Sequence, residues 1–345
     1  MSRFLQSLPT TFWNRSESRL RAPWRLLITV LLGLFGIGVL RLLALFVIAF
    51  LLVLTAQVPL GALGNVQELT QAINMAIARF PLLIGLRWLI VLLSVGLAFF
   101  LLARFVDRRP WRDYGFHFDA AWWRDLGFGV FLGLALMGAI FGVECLLGWA
   151  SVVGLSENGQ PKLPFWQLLV DGLLFCVLVG VEEEWFARGY LIRNLAEGLR
   201  SPRVGPKAAV LLSYLLTSLF FGFLHADNAN ATLVSSLELT LVGLFFGLGF
   251  VLTGELAIPI GVHVAWNFAQ GYVFGFPVSG VDEHLALIAT RQTGPTPSTG
   301  GAFGPEGGLI GFLATLLGMV LVYGWVRWTR RRVSVQAKLA QYSSS

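Results

Sequence analysis

The chain has 345 residues, of which 56% are hydrophobic and 13% charged, with a mean hydropathy of +0.73. Soluble domains carry roughly a quarter charged residues, so this balance excludes a soluble globular protein and describes a polytopic membrane protein. The formal net charge of +6 calls for no nucleic acid, because basic rims on the cytoplasmic side of membrane spans attract anionic lipid and set topology; membrane lipid is the expected partner and nucleic acid is not.

Residues 1–25 mix Phe4, Trp13 and Trp24 with Arg3, Arg15, Arg19, Arg21 and Arg25, the composition of a cytoplasmic or interfacial segment. Residues 26–328 read as an all-α transmembrane bundle of about eight helices, with apolar runs centred near 40, 95, 138, 174, 216, 243, 266 and 318, and 329–345 as a cytoplasmic tail. Each span needs about 20 apolar residues to cross about 30 Å of hydrocarbon. The first run, Leu26–Leu54, is too long for a signal-peptide core and is expected to be retained; Arg41 within it reads as a helix-pairing residue. Lys and Arg concentrate in 1–25, 104–125, 188–207 and 327–338, which places both termini in the cytoplasm; a bacterial inner membrane is the expected location. Cys145 and Cys176 both lie in apolar runs and support neither a zinc ribbon nor a disulfide framework.

Between the spans, the stretch V-Q-E-L-T-Q-A-I-N-M-A-I-A-R-F has helical apolar spacing and predicts a short surface helix. His117, in R-R-P-W-R-D-Y-G-F-H-F-D, is expected to be solvated, and Glu144, near the end of the third span, to be structural. The fourth run, Leu163–Val181, closes on V-E-E-E-W-F-A-R-G-Y. Charges that deep in hydrocarbon cost on the order of 2.5–3.5 kcal/mol each and rarely persist without partners or a task. On a helix Glu184 and Arg188 are four apart, the acid N-terminal to the base, and form a favourable pair; Glu183 is turned by about 100° and left free. A juxtamembrane charge cluster at the end of a span accounts equally well for these residues taken alone.

The fifth run, Ala208–Leu224, ends F-G-F-L-H and sets Phe221 and His225 on one face. Run outward from Lys207, this helix carries His225 toward the outer face, while Glu183 and His263 fall nearer the cytoplasmic half. The sixth, Leu233–Leu252, holds Glu238 and G-L-F-F-G-L-G-F, whose glycines allow close helix approach. The seventh, A-I-P-I-G-V-H-V-A-W-N-F, aligns His263 and Asn267 at i and i+4. Segment 276–307 is rich in Gly, Pro, Thr and Ser, reads as a long, mobile extracytoplasmic loop, and is assigned no role.

Glu183, Glu184, Arg188, His225, His263 and Asn267 therefore stand on three neighbouring spans that hold little else polar. A carboxylate and a histidine can hold and deprotonate water, and a histidine with an asparagine amide can donate to an oxyanion. The motifs E-E-W-F-A-R at 183–188, F-G-F-L-H at 221–225 and H-V-A-W-N at 263–267 resemble, in order and spacing, those of the CPBP family. These are the CAAX prenyl protease and bacteriocin-processing intramembrane endopeptidases, also called the ABI family, and the resemblance covers about residues 115–275. It implies hydrolysis of a peptide bond in a peptide or protein substrate near or within the membrane. Glu183 would be the general base, His225 would orient the water, Glu184 and Arg188 would shape the site, and His263 and Asn267 would form the oxyanion hole. Glu182 has no counterpart role. No cofactor is expected to be required. A zinc-dependent version stays as an alternative, since Glu with two His is a known catalytic ligand set, although no H-E-x-x-H pair is present. The alternative of a different class is a non-catalytic membrane protein of the same fold, binding a partner or conferring bacteriocin immunity; a proton-coupled transporter is weaker because no inverted repeat is visible.

Overall fold

The structure, a computed structural model, describes residues 9–54, 82–158, 164–282 and 284–342, with isolated positions between 61 and 71. Most of the surface helix expected after residue 65, and the side chain of Arg41, lie outside the described residues. In chain order the main elements are β1 (Trp13–Asn14), β2 (Arg19–Leu20), α1 (Ala22–Leu54), α2 (Leu82–Leu101), α3 (Ala120–Leu146), β3 (Ala150–Asn158), α4 (Phe165–Glu184), α5 (Arg193–Leu199), α6 (Pro206–Leu224), α7 (Leu233–Thr253), α8 (Ala257–Asn267), β4 (Leu285–Gln292) and α9 (Leu309–Arg330). The protein is mostly helical, as a chain this apolar must be. In hydrocarbon a helix satisfies its own backbone polar groups.

Among the described residues six helices are long and apolar enough to cross a membrane: Trp88–Asp107, Ala120–Leu146, Phe165–Leu199, Pro206–Leu224, Leu233–Thr253 and Leu309–Arg330. The protein is an integral membrane protein. Two of the eight expected spans are not among these six. The first is α1, a 33-residue helix only part of whose side chains are described. The other, the run around residue 266, is α8, which has 11 residues. At 1.5 Å per residue that is too short for the hydrocarbon core, and α8 is buried along most of its length, from Ala257 to Trp266.

The chain forms two compact units, one of residues 1–109 with 160–178, the other of 110–159 with 179–345. In the first, β1 and β2 form a two-stranded antiparallel ribbon, and α2 runs on through a π-helical segment, Leu102–Asp107. Asp107 is buried and holds three arginines: Arg25 at 2.7 Å, Arg19 at 3.5 Å and Arg109 at 3.4 Å. Three of the arginines expected in the basic cytoplasmic segments are thus interior ion-pair partners. Trp88 Nε1 donates to Asp171 Oδ1 at 2.5 Å.

The second unit is built around α8. Asp119 caps α3 by accepting from the Trp122 amide at 2.8 Å, and a Thr232/Ser235 capping box starts α7. Where α3 crosses α8 the contact is backbone to backbone: a Cβ on Gly133 would lie 2.7 Å from the Val262 carbonyl oxygen, and one on Gly261 2.5 Å from that of Leu126. Only glycine permits that approach. The segment expected as a long structureless loop instead contains β4, which pairs antiparallel with β3 from Ala150↔Gln292 to Asn158↔Leu285, followed by short helical turns at Thr296–Thr299, Gly301–Phe303 and Pro305–Gly307. This sheet is an addition to the all-α expectation, and its partners are too far apart in sequence for any local pattern to announce it. His117 is not simply solvated, since its Nδ1 lies 2.9 Å from Glu255 Oε2.

Candidate active site at the ends of α4 and α8

The helix does not stop at the glutamates. After Glu184 the chain continues as the π-helical segment Trp185–Ile192 and then α5, so Glu183 and Glu184 lie near the middle of a continuous helix from Phe165 to Leu199. Asn267 occupies the equivalent place on α8, immediately before the π-helical segment Phe268–Val273. Single π turns inside helices recur at functional sites.

Glu184 is fully buried. Its Oε1 accepts from Arg188 Nη1 at 2.6 Å, the i, i+4 pair, and from His263 Nδ1 at 2.8 Å. Arg188 in turn donates from Nη2 to the Gly243 carbonyl of α7 at 2.9 Å, and its guanidinium lies over the rings of Phe221 and Phe246, 4.8 and 5.9 Å from their centroids. These contacts explain how charge survives here, since buried ions persist when paired and hydrogen-bonded. Glu184 Oε2 has no hydrogen-bond partner among the described residues.

Glu183 has a different environment. Its side chain is 37% exposed, and its Oε2 lies 4.0 Å from His263 Nε2. That separation is too long for a direct hydrogen bond and fits one bridging water. Because His263 Nδ1 points at a carboxylate that Arg188 also holds, Nδ1 carries a proton, and Nε2 is the nitrogen presented to Glu183.

His225 stands at the C-terminal end of α6. Its Nδ1 donates to the Phe221 carbonyl at 2.8 Å, which leaves Nε2 as the acceptor of the neutral ring. Phe221 lies between the two histidines, its ring centroid 4.7 Å from that of His225 and 6.3 Å from that of His263. His225 is therefore one helical turn, about 6 Å of rise, beyond the level at which Phe221 meets Arg188 and His263. No hydrogen bond or ion pair joins it to Glu183 among the described residues. Asn267, half-buried, makes no side-chain hydrogen bond among the described residues. Glu183, Glu184, Arg188 and His263 thus form one connected cluster, His225 sits across Phe221 from it, and Asn267 follows His263 by one turn of α8.

One buried acid near these residues carries no sequence signal. Glu306, in a Gly- and Pro-rich stretch, is 3% exposed and accepts from the Ser279 amide at 2.5 Å, Ser279 Oγ at 2.7 Å and Trp266 Nε1 at 3.3 Å. Burial raises the pKa of its carboxyl, opposed by the Ser279 hydrogen bonds. No group of three or more His, Cys, Asp or Glu side chains among the described residues is arranged to hold a metal ion. Glu183, His225 and His263 are not brought together as such a group.

Residues 165–269 match the family model described as type II CAAX prenyl endopeptidase, Rce1-like. Over these residues the chain is similar to the Rce1-like proteins of the CPBP family. The Rce1-like segment is less than a third of the chain but contains all six residues of the constellation. No curated protein and no solved structure matches the chain. Similarity to this family over residues 165–269 supports protease as the coarse description, with a peptide substrate met in a lipid environment.

Proposed function

We propose that the protein is an intramembrane endopeptidase in which Glu183 is the general base. The observation that carries this reading is the contrast between adjacent glutamates: Glu184 is buried and committed to Arg188 and His263, while Glu183 is part-exposed and 4.0 Å from His263 Nε2. A water between Glu183 and the histidines gives its proton to Glu183 as its oxygen attacks the scissile carbonyl carbon. The proton then passes to the departing amide nitrogen as the C–N bond breaks. His225, with Nδ1 tied to Phe221, offers Nε2 to orient that water. Asn267 and, when its Nε2 is also protonated, His263 donate to the oxyanion. Glu184 and Arg188 hold the His263 ring in place. No metal takes part in this scheme, and the substrate is a membrane-associated peptide chain, with or without a prenyl group.

The test is a comparison of new N-termini in membranes containing the wild-type protein and the Glu183→Gln variant. Termini found only with the wild type are expected and name the bond cleaved; identical sets would overturn the proposal.

A further inference from the structure

The last turn of α8 is where the proposed oxyanion donors must be positioned and where its backbone is least self-sufficient. Asn267 is the final α-helical residue, and the following Phe268–Val273 segment is π-helical. A π turn widens the helix and gives up the regular i→i−4 ladder, so the orientation of this junction depends on contacts from outside the helix. Those contacts come from residues 276–306. Gln270 Nε2 donates to the Pro277 carbonyl at 2.6 Å, the Phe276 amide donates to the Gln270 carbonyl at 2.9 Å, and Trp266, the residue before Asn267, donates to Glu306 at 3.3 Å.

Glu306 is the centre of this brace. Its Oε1 takes both Ser279 donors and its Oε2 takes Trp266. The turn that presents it is pressed against the same segment: Gly304 has φ +111°, and a Cβ there would lie 2.1 Å from the Pro277 carbonyl oxygen. A carboxylate buried this completely is costly even with three neutral donors, and an amide could not replace it, because a glutamine has one acceptor oxygen for donors on both sides. Packing alone does not account for an acid here. We propose that Glu306 is a positioning residue for the active site: it locks Trp266, and with it the His263–Asn267 face of α8, to the Ser279 turn. This rests on the endopeptidase reading and adds to it a residue outside the three motifs.

The test uses the full-length protein in detergent micelles, with Glu183-dependent cleavage as the activity and the ¹⁵N-indole spectrum as an independent readout, the Trp266 resonance being the one lost in Trp266→Phe. Glu306→Gln should shift that resonance and lower kcat by about 10-fold to 10²-fold, the range for sub-ångström misplacement, with KM within about twofold. Trp266→Phe removes the N–H together with the five-membered ring of a buried indole, so its kcat is taken per folded protein; it carries the test if Glu306→Gln fails to fold. It should lower kcat in the same direction, and the double variant should be no worse than Glu306→Gln, since residues acting as one unit are not additive. A shifted resonance with unchanged kcat in Glu306→Gln, or full kcat in Trp266→Phe, overturns the inference and leaves the endopeptidase reading standing. Absence of any Glu183-dependent cleavage overturns both.

Discussion

Asp107 and Glu184 are both buried carboxylates held by arginine, but the acids and bases around them are in opposite proportion. Arg19, Arg25 and Arg109 converge on Asp107 and engage both of its oxygens, and Glu17 pairs with Arg19 at 2.7 Å, so the described arginines of that cluster outnumber its acids and each acid is held directly by an arginine. Around Arg188 the excess is acidic. Glu184 Oε1 receives both Arg188 and His263, and Glu183 beside it is half-open and touches the cluster only across 4.0 Å. Buried charge that is saturated by partners builds structure; buried charge with a spare carboxylate at its edge can do acid–base work. Both clusters adjoin a π-helical segment, so the backbone irregularity by itself does not tell a working site from a brace.

The comparison can be broken at Arg188. Arg188→Ala strands Glu184 in the interior, and removing one partner of a buried pair costs about 3–5 kcal/mol; thermal unfolding in detergent should show a large fall in midpoint, and an unchanged midpoint would mean the cluster is not the electrostatic anchor described here. Asn267→Ala should lower kcat by about 10²–10³ with KM nearly unchanged, because an oxyanion donor acts only in the transition state. A lowered midpoint with full specific activity would instead make Asn267 a helix-packing residue. The smallest effect is expected from exhaustive chelation, which should leave activity unaltered; a loss restored by Zn²⁺ would show a metal dependence that Glu183, His225 and His263 are not arranged to supply.

What could be read from the sequence follows from how local each feature is. The helical class came from composition, and the Glu184–Arg188 pair from i, i+4 spacing, because both are short-range properties of one helix. The passage of α4 through Glu184 into a π segment was hidden by the charges, which look like the end of a span when only hydropathy is followed. Counting along α6 from Lys207 carries His225 past the other site residues, and in the structure it is Phe221, one turn earlier, that packs on Arg188 and His263. Glu306, the β3–β4 pairing and the Arg19 and Arg25 contacts to Asp107 each join residues more than 25 apart in sequence. They sit in stretches whose composition reads as loop or membrane surface, and no periodicity marks them.

The account is tested most directly by measuring specific activity and thermal midpoint of the wild type, Glu183→Gln and Asp107→Asn on matched detergent-solubilised preparations. Glu183→Gln should keep the wild-type midpoint and lose activity by about 10²–10⁴, the contribution of a general base. Asp107→Asn should lose midpoint and keep the specific activity of its folded fraction. An active Glu183→Gln, or an Asp107→Asn that folds normally and loses turnover, would contradict the assignment of catalysis to one cluster and support to the other.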